Sequence, residues 1–156
     1  HQDIPKQFIH VDNKPVIIHT MEAFQKHPSV DAIMVVTIDS WSEVLWAYAK
    51  QFNITKLRWV IPGGTTGQES IRNGLDALIK ELSYDDIVMV HDGNRPLVSS
   101  EVISNSLVTF AAHGSAVAVI PCTEVVFESD NGISSCVSNG KGKIIPDTDT
   151  SYLQTG

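Results

Sequence analysis

The sequence has 156 residues, of which 42% are hydrophobic and 19% are charged, so it can bury a core and does not have the composition of a disordered tail. Its formal net charge of −7 disfavours nonspecific binding to nucleic acid or to an acidic membrane surface. Its two cysteines, Cys122 and Cys136, lack zinc-ligand spacing, and no stretch approaches the ~20 apolar residues of a membrane helix. We therefore expect one cytoplasmic domain.

Helical and strand patterns alternate up to about residue 121. Apolar residues that recur every three or four positions indicate helices, and short runs rich in β-branched residues indicate strands. The predicted elements are a helix opening at Lys14-Pro15, a strand over Ala32–Ile38, a helix from Ser40 to about Phe52, a strand over Arg58–Ile61, a helix over about Gln68–Leu82, a strand at Ile87–Val90, a helix capped by Ser99 or Ser100, and a strand over Ala116–Ile120. Ser40 is expected to form a capping box with Glu43. The alternation predicts an α/β fold with a Rossmann-like, mostly parallel sheet and helices on both faces.

The pattern changes after Pro121. Val125–Phe127 and Ile133–Val137 flank the turn residues Asp130-Asn131-Gly132 and predict a β-hairpin. A return to a strand is expected at Ile144-Ile145. We expect residues 122–145 to project as a β-arm from a single domain over 1–156, in a position to contact a partner subunit.

The segment from Ile87 to Pro96 is the most informative in the chain. The apolar run Ile87–Val90 suits a strand that is buried on both faces of a parallel sheet, and ligands bind beyond the carboxyl ends of such strands. Asp92 and Arg95 follow at that end. Asp92 could bind Mg²⁺ through one oxygen, and Arg95 could grip a phosphate bidentately. The alternative is an Asp–Arg pair that pins the loop, and this segment alone does not separate the two interpretations.

Two further segments are candidate binding sites. Residues 63–70, with the sequence GGTTGQES, lie between a predicted strand and a helix N-terminus, where glycines allow a ligand to approach and N–H groups favour acceptors. The phosphate-loop consensus is absent, and the alternative is a plain glycine-rich turn with helix capping. Lys6, in Pro5-Lys6-Gln7-Phe8, could stabilise charge on a transferring phosphoryl group; the alternative is an ordinary surface lysine.

In this order and spacing, these segments resemble the cytidylyltransferase family that includes the methylerythritol-phosphate and ribitol-5-phosphate cytidylyltransferases. The resemblance covers nearly the whole chain. It is carried by Pro5-Lys6-Gln7-Phe8, Lys14-Pro15-Val16 with His19-Thr20 and Glu22-Ala23-Phe24, Gly63-Gly64 with Gln68-Glu69-Ser70-Ile71-Arg72-Asn73-Gly74-Leu75, and Val90-His91-Asp92 with Arg95-Pro96.

The resemblance implies that a polyol phosphate attacks the α-phosphate of CTP, with Mg²⁺, to give a CDP-alditol and pyrophosphate. By position, it assigns stabilisation of the α-phosphate to Lys6, the nucleotide to Gly63, Gly64, Thr65 and Ser70, the magnesium ion to Asp92, and the acceptor substrate to Arg95. CTP and a polyol phosphate would be the partners, with no nucleic-acid or membrane partner. The hairpin would be the arm of a homodimer.

The chain also departs from the family pattern. A strand and a glycine-rich loop are expected before Pro5, and further chain after Gly156, so the sequence is expected to be the middle of a longer protein. Val125 stands where the methylerythritol enzymes have threonine, and Ile145-Pro146-Asp147 is closer to the ribitol-phosphate branch. Two alternatives are a noncatalytic nucleotide-binding or assembly module of the same fold, and a nucleotidyltransferase that uses another nucleoside triphosphate.

Overall fold

A computed structural model describes residues 4–119 and three short strands at 126–128, 135–136 and 154–155. The chain divides into two compact units, residues 1–116 and 117–156. In the first unit the elements are, in chain order, a 3-10 turn at Lys6–Phe8, strands β1 (His10–Val11) and β2 (Lys14–Pro15), helix α1 (Val16–Lys26), strand β3 (Ile33–Thr37), a 3-10 turn at Asp39–Trp41, helix α2 (Ser42–Gln51), strand β4 (Leu57–Pro62), and helices α3 (Gly67–Leu78) and α4 (Ser100–His113).

A tight hairpin joins the first turn to α1. Strands β1 and β2 pair antiparallel, and Asp12 and Asn13 between them have φ values of 50° and 61°. A two-residue type I′ turn needs positive φ at both positions, and Asp and Asn tolerate it. Pro15 stands at the N-cap of α1, which confirms to within a residue the helix predicted to open at Lys14-Pro15.

Strands β3 and β4 pair in parallel, with Val35 opposite Val60 and Thr37 opposite Pro62. Successive side chains point to opposite faces of a strand. Val35 packs against the core on the side of α1 and α2, whereas a Cβ placed on Gly74 of α3 would lie 2.8 Å from Val36 Cγ2. Helices therefore cover both faces of the parallel pair, as predicted, and α3 approaches β3 so closely because Gly74 has no side chain.

The core of the first unit lies between α1, α2 and the β3–β4 pair. Ile18 of α1 and Leu45 of α2 are fully buried. The other buried members of this core are Phe8, Ile17, Met21, Ala49, Ile54 and Leu57. Phe8 also stacks on Trp41 with ring centroids 4.4 Å apart, so the core anchors the segment that carries Lys6.

The prediction of a strand at Ile87–Val90 is wrong, because these residues have no regular secondary structure. Their side chains are between 37% and 58% exposed. A strand needs a hydrogen-bonded neighbour as well as an apolar sequence, and in the described residues this run faces β3 across an open cleft. The strand predicted over Ala116–Ile120 is also absent from its described part, residues 116–119, where Val117 and Val119 are each 82% exposed.

Two helix boundaries also differ from the predictions. Ser40 lies inside the 3-10 turn at Asp39–Trp41, and α2 begins without a side-chain cap, so the predicted capping box is wrong. Helix α3 ends at Leu78, short of the predicted Leu82, and Ile79 is 72% exposed. The N-cap of α4 is confirmed, because the Ser99 hydroxyl accepts from the Val102 amide.

The second unit contains β5 (Val126–Glu128), β6 (Ser135–Cys136) and β7 (Gln154–Thr155). Strand β5 pairs antiparallel with β6, with Phe127 opposite Cys136, which confirms the predicted hairpin pairing. It also pairs antiparallel with β7, which the sequence analysis missed. The turn at 130–132 and the strand expected at 144–145 lie outside the described residues. No helix in the described part of the chain has the length and apolar character needed to cross a membrane.

Candidate functional site

A pocket of about 290 Å³ opens where the parallel strands end. It is lined by Gln7, Val36, Thr37, Ile38, Asp39, Pro62, Gly63, Gly64 and Ser70. The Gly63 amide donates to the Thr37 carbonyl at 2.8 Å, which extends the β3–β4 pairing into the loop. This is the sheet edge at which open α/β folds bind ligands.

The loop from Gly63 to Ser70 is closed by a capping box. Thr66 is the N-cap of α3, and its hydroxyl accepts from the Glu69 amide at 3.1 Å. The Glu69 carboxylate returns to the loop and accepts from the amides of Thr65 and Thr66 at 2.7 and 3.3 Å. It also accepts from the Thr65 hydroxyl at 2.5 Å. These hydrogen bonds, led by the one from the Thr65 hydroxyl, lower the pKa of Glu69 below its ordinary value of 4.5.

Ser70 holds the other side of the loop. Its hydroxyl accepts from the Gly64 amide at 3.0 Å and donates to the Thr66 carbonyl at 2.9 Å. Gly64 has no space for a side chain, because a Cβ there would lie 2.3 Å from the Glu69 Cβ. The loop is therefore closed by hydrogen bonds, and it contains the helix capping that was part of the alternative interpretation of its sequence.

The segment around Asp92 is tied to α1. The Thr20 hydroxyl donates to the Gly93 carbonyl at 2.8 Å, and the rings of Phe24 and His91 lie 5.2 Å apart. Arg95 Nε lies 2.7 Å from Asp92 Oδ2, and both side chains are mostly exposed. The structure thus shows the ion pair that the sequence left as one of two interpretations. Because the pair uses one guanidinium nitrogen and one carboxylate oxygen, it is compatible with ligand binding by either residue.

A larger cleft, of about 1150 Å³, is lined by two of the predicted site residues, Ser70 and Asp92. Gln7, the neighbour of Lys6, also lines this cleft. Gly63 and Gly64 line the adjoining smaller pocket. Lys6 and Thr65 are exposed beside these walls, and Arg95 joins the site through Asp92. The structure therefore places Gln7, Ser70 and Asp92, which are distant in sequence, in the lining of one cleft.

Sequence reasoning missed three residues of this site. Thr37 is buried, and its hydroxyl oxygen has no hydrogen-bond partner within the part of the chain that the structure describes. Asp39 follows β3 just as Asp92 follows its apolar run, so the rule applied to Asp92 could have found it. No role was predicted for Glu69, although a glutamate three residues after a threonine N-cap is the sequence pattern of a capping box.

The carboxylates of the site suit a metal that is shared with a substrate. Within the described residues, no three histidine, cysteine, aspartate or glutamate side chains are grouped so that they could hold a metal ion. Magnesium in phosphate-transfer sites is commonly held by one or two carboxylates together with substrate phosphates and water. The exposed Asp92 side chain meets that requirement, with its Oδ2 bonded to Arg95.

Comparison with known proteins identifies the family. The family model of 2-C-methyl-D-erythritol 4-phosphate cytidylyltransferase (IspD) matches residues 1–142. The chain is 43% identical to ribitol-5-phosphate cytidylyltransferase of Lacticaseibacillus paracasei over 80% of its own length and 53% of the relative's. It is 34% identical to 2-C-methyl-D-erythritol 4-phosphate cytidylyltransferase of Clostridium botulinum, over 93% of its length and 62% of that protein's.

The fold agrees with this assignment. A solved structure of 4-diphosphocytidyl-2C-methyl-D-erythritol synthase aligns with a TM-score of 0.70 at 22% identity, covering 97% of this chain and 69% of the other. The chain spans about half to two-thirds of the length of these relatives. The family-model match and the identities together show that the chain belongs to the IspD cytidylyltransferase family.

Proposed function

We propose that the protein transfers CMP from CTP to a polyol phosphate, forming a CDP-alditol and releasing pyrophosphate. One observation carries the proposal: in a member of this family, Ser70 and Asp92 line the same cleft beside the ends of β3 and β4. That location suits a nucleotide, whose base and phosphates would lie at different walls.

In the proposed reaction an oxygen of the acceptor's phosphate attacks the α-phosphorus of CTP. A phosphorus–oxygen bond to the acceptor forms, and the bond to pyrophosphate breaks. The nucleophile is already an anion, so no strong general base is needed, and catalysis consists of positioning and charge stabilisation. Lys6 is exposed on the turn anchored by Phe8, and we assign to it the charge that develops on the α-phosphate.

Magnesium would be held by Asp92 and by the phosphates of the nucleotide, where it would supply positive charge to the phosphoryl oxygens. Arg95 would bind the phosphate of the acceptor. Its Nε is engaged by Asp92, and its two terminal nitrogens carry the donors that a phosphate needs. The ion pair would therefore orient Arg95 for the acceptor.

We propose ribitol 5-phosphate as the first acceptor to test and 2-C-methyl-D-erythritol 4-phosphate as the second. The relative named for ribitol 5-phosphate is 43% identical to the chain, against 34% for the relative named for the methylerythritol compound. We further propose that the protein works in the cytoplasm as a homodimer, in which the 122–145 arm contacts the partner subunit.

The reaction is tested by pyrophosphate release. The polypeptide encoded by the complete gene should release pyrophosphate from CTP with Mg²⁺ and one of the two acceptors. Replacing Lys6 by alanine should lower the rate by about 10²–10³-fold, as for other charge-stabilising groups. Lys80→Ala is the matched control, because Lys80 is an exposed lysine that lines neither pocket.

Two results would contradict these assignments. Absence of turnover with every alditol phosphate would refute the proposed reaction. A rate for Lys6→Ala equal to that of Lys80→Ala would remove Lys6 from the mechanism.

A further inference from the structure

Most backbone amide hydrogens of the 63–70 loop already take part in hydrogen bonds within the protein. Six of its eight backbone amides donate to acceptors within the protein: Gly63 to the Thr37 carbonyl, Gly64 to the Ser70 hydroxyl, Thr65 and Thr66 to the Glu69 carboxylate, Glu69 to the Thr66 hydroxyl, and Ser70 to the Thr66 carbonyl. The amides that would cradle an anion at a glycine-rich turn are thus largely occupied.

The hydroxyl hydrogens of Thr65 and Ser70 are also donated within the loop. A carboxylate and a carbonyl oxygen can only accept, so Thr65 must donate to Glu69 and Ser70 must donate to the Thr66 carbonyl. A hydroxyl has one hydrogen and two lone pairs. Thr65 therefore presents lone pairs only, and Ser70, which also accepts from Gly64, presents one.

The loop consequently presents the acceptor oxygens of Thr65 and Ser70, and the negative charge of Glu69, to a ligand that binds beside it. A phosphate group is unfavourable there, because it would face the Glu69 carboxylate and oxygen lone pairs. A neutral donor such as an amino group is favourable. Thr65 is exposed, and Ser70, which lines the pocket, is partly exposed, so each of the two residues is accessible to a ligand.

We propose that Glu69 is a positioning residue that makes this loop select cytosine over uracil. The inference rests on the proposed function, and it takes this loop as the part of the site that contacts the base of CTP. By holding the Thr65 hydrogen, Glu69 turns the hydroxyl into an obligatory acceptor for the exocyclic amino group of cytosine. Uracil presents a carbonyl oxygen at the same place, so its lone pairs would meet those of Thr65 and Ser70.

The test compares the dissociation constants of CTP and UTP by calorimetry on the full-length protein with Mg²⁺. One mismatched hydrogen bond is worth roughly 1 to 1.5 kcal/mol, so we expect CTP to bind on the order of tenfold more tightly than UTP. Glu69→Ala frees the Thr65 hydroxyl to donate and should reduce the ratio to about threefold or less. Glu69→Gln keeps a carbonyl oxygen that can accept the same bonds, and should retain most of the preference.

Two further variants separate selectivity from folding. Asp76→Ala removes one acidic side chain from the exposed face of the same helix, where Asp76 pairs with Arg72, and should leave the ratio unchanged. Thr65→Val leaves Glu69 in place and should weaken CTP but not UTP. This variant keeps the inference testable if Glu69→Ala destabilises the loop, which its thermal midpoint would reveal.

The outcomes are distinct. A fall in the CTP-to-UTP ratio in Glu69→Ala and Thr65→Val, with rescue by Glu69→Gln, supports the role of Glu69. A wild-type ratio in folded Glu69→Ala or in Thr65→Val overturns it, while CTP binding itself leaves the proposed function standing. Equal affinity of the wild-type protein for CTP and UTP also overturns the inference alone. Failure to bind either nucleotide refutes both.

Discussion

At the scale of single residues, Gly64 is the most closely approached of the described glycines. An added Cβ would lie 2.3 Å from the Glu69 Cβ and 3.1 Å from the Glu69 carbonyl carbon, and neither atom can swing aside. Gly64→Ala should therefore displace the loop, at a cost of about 1–3 kcal/mol. The thermal midpoint should fall, and nucleotide affinity should fall with it.

Gly67→Ala is the matched control for Gly64→Ala. A Cβ at Gly67 would meet nothing within 4 Å, and alanine is the better helix former at the start of α3. A Gly64→Ala protein as stable and as tightly bound to nucleotide as Gly67→Ala would contradict the close contact with Glu69.

The Asp92–Arg95 pair is a residue-scale feature whose stability contribution is small. Both side chains are mostly exposed, and surface ion pairs are typically worth ~0–1 kcal/mol. The loop is also held by the Thr20–Gly93 hydrogen bond and by the contact between Phe24 and His91. We therefore expect the pair to matter more for the proposed orientation of Arg95 toward the acceptor than for folding.

At the scale of elements, the N-terminus of α3 should respond to acid. Because the pKa of Glu69 is lowered in the folded protein, its contribution to stability is complete above the ordinary value of 4.5 and is lost as the pH falls through the lowered folded value. We expect the thermal midpoint to drop between pH 6 and about pH 3, and to drop less in Glu69→Gln. Thermal unfolding of both proteins at the two pH values tests this.

Glu22 leaves part of the acid response in that variant. Its partial burial opposes ionisation, but the hydrogen bond and charge of Lys14, 2.7 Å away, outweigh it and lower the pKa of Glu22. The fall in thermal midpoint on acidification would then differ between the wild-type and Glu69→Gln proteins only by the contribution of the Glu69 hydrogen bonds. Identical losses on acidification would show that the Glu69 bonds do not stabilise the folded state.

At the scale of the whole molecule, stability depends on the core between α1, α2 and the parallel strands. Leu45 is fully buried, so Leu45→Ala should cost about 2–5 kcal/mol in the free energy of unfolding. Val108→Ala is the control, because Val108 of α4 is 68% exposed and its replacement should change stability by less than about 0.5 kcal/mol. Chemical denaturation of both variants measures the difference, and similar values would place the core elsewhere.

The sequence predicted the elements whose formation depends on local pattern. Helices α1, α2 and α4 and strands β3 and β4 occur within a few residues of their predicted ranges, because amphipathic periodicity and β-branched runs act within each segment. The prediction was wrong at Ile87–Val90, where the apolar run is present but no described backbone pairs with it. Strand formation depends on a partner that the segment itself does not specify.

The same division applies to the site. The order of the motifs alone indicated Lys6, the 63–70 loop and the Asp92–Arg95 segment as candidate site residues. The match of the chain to the family model confirms the family that this order indicated. The roles of these residues in binding and catalysis stay predictions. The tertiary structure decided that Ser70 and Asp92 share a cleft, that Asp92 pairs with Arg95, and that Glu69 holds the Thr65 hydroxyl. Those facts depend on distances between side chains, which packing fixes and sequence spacing does not.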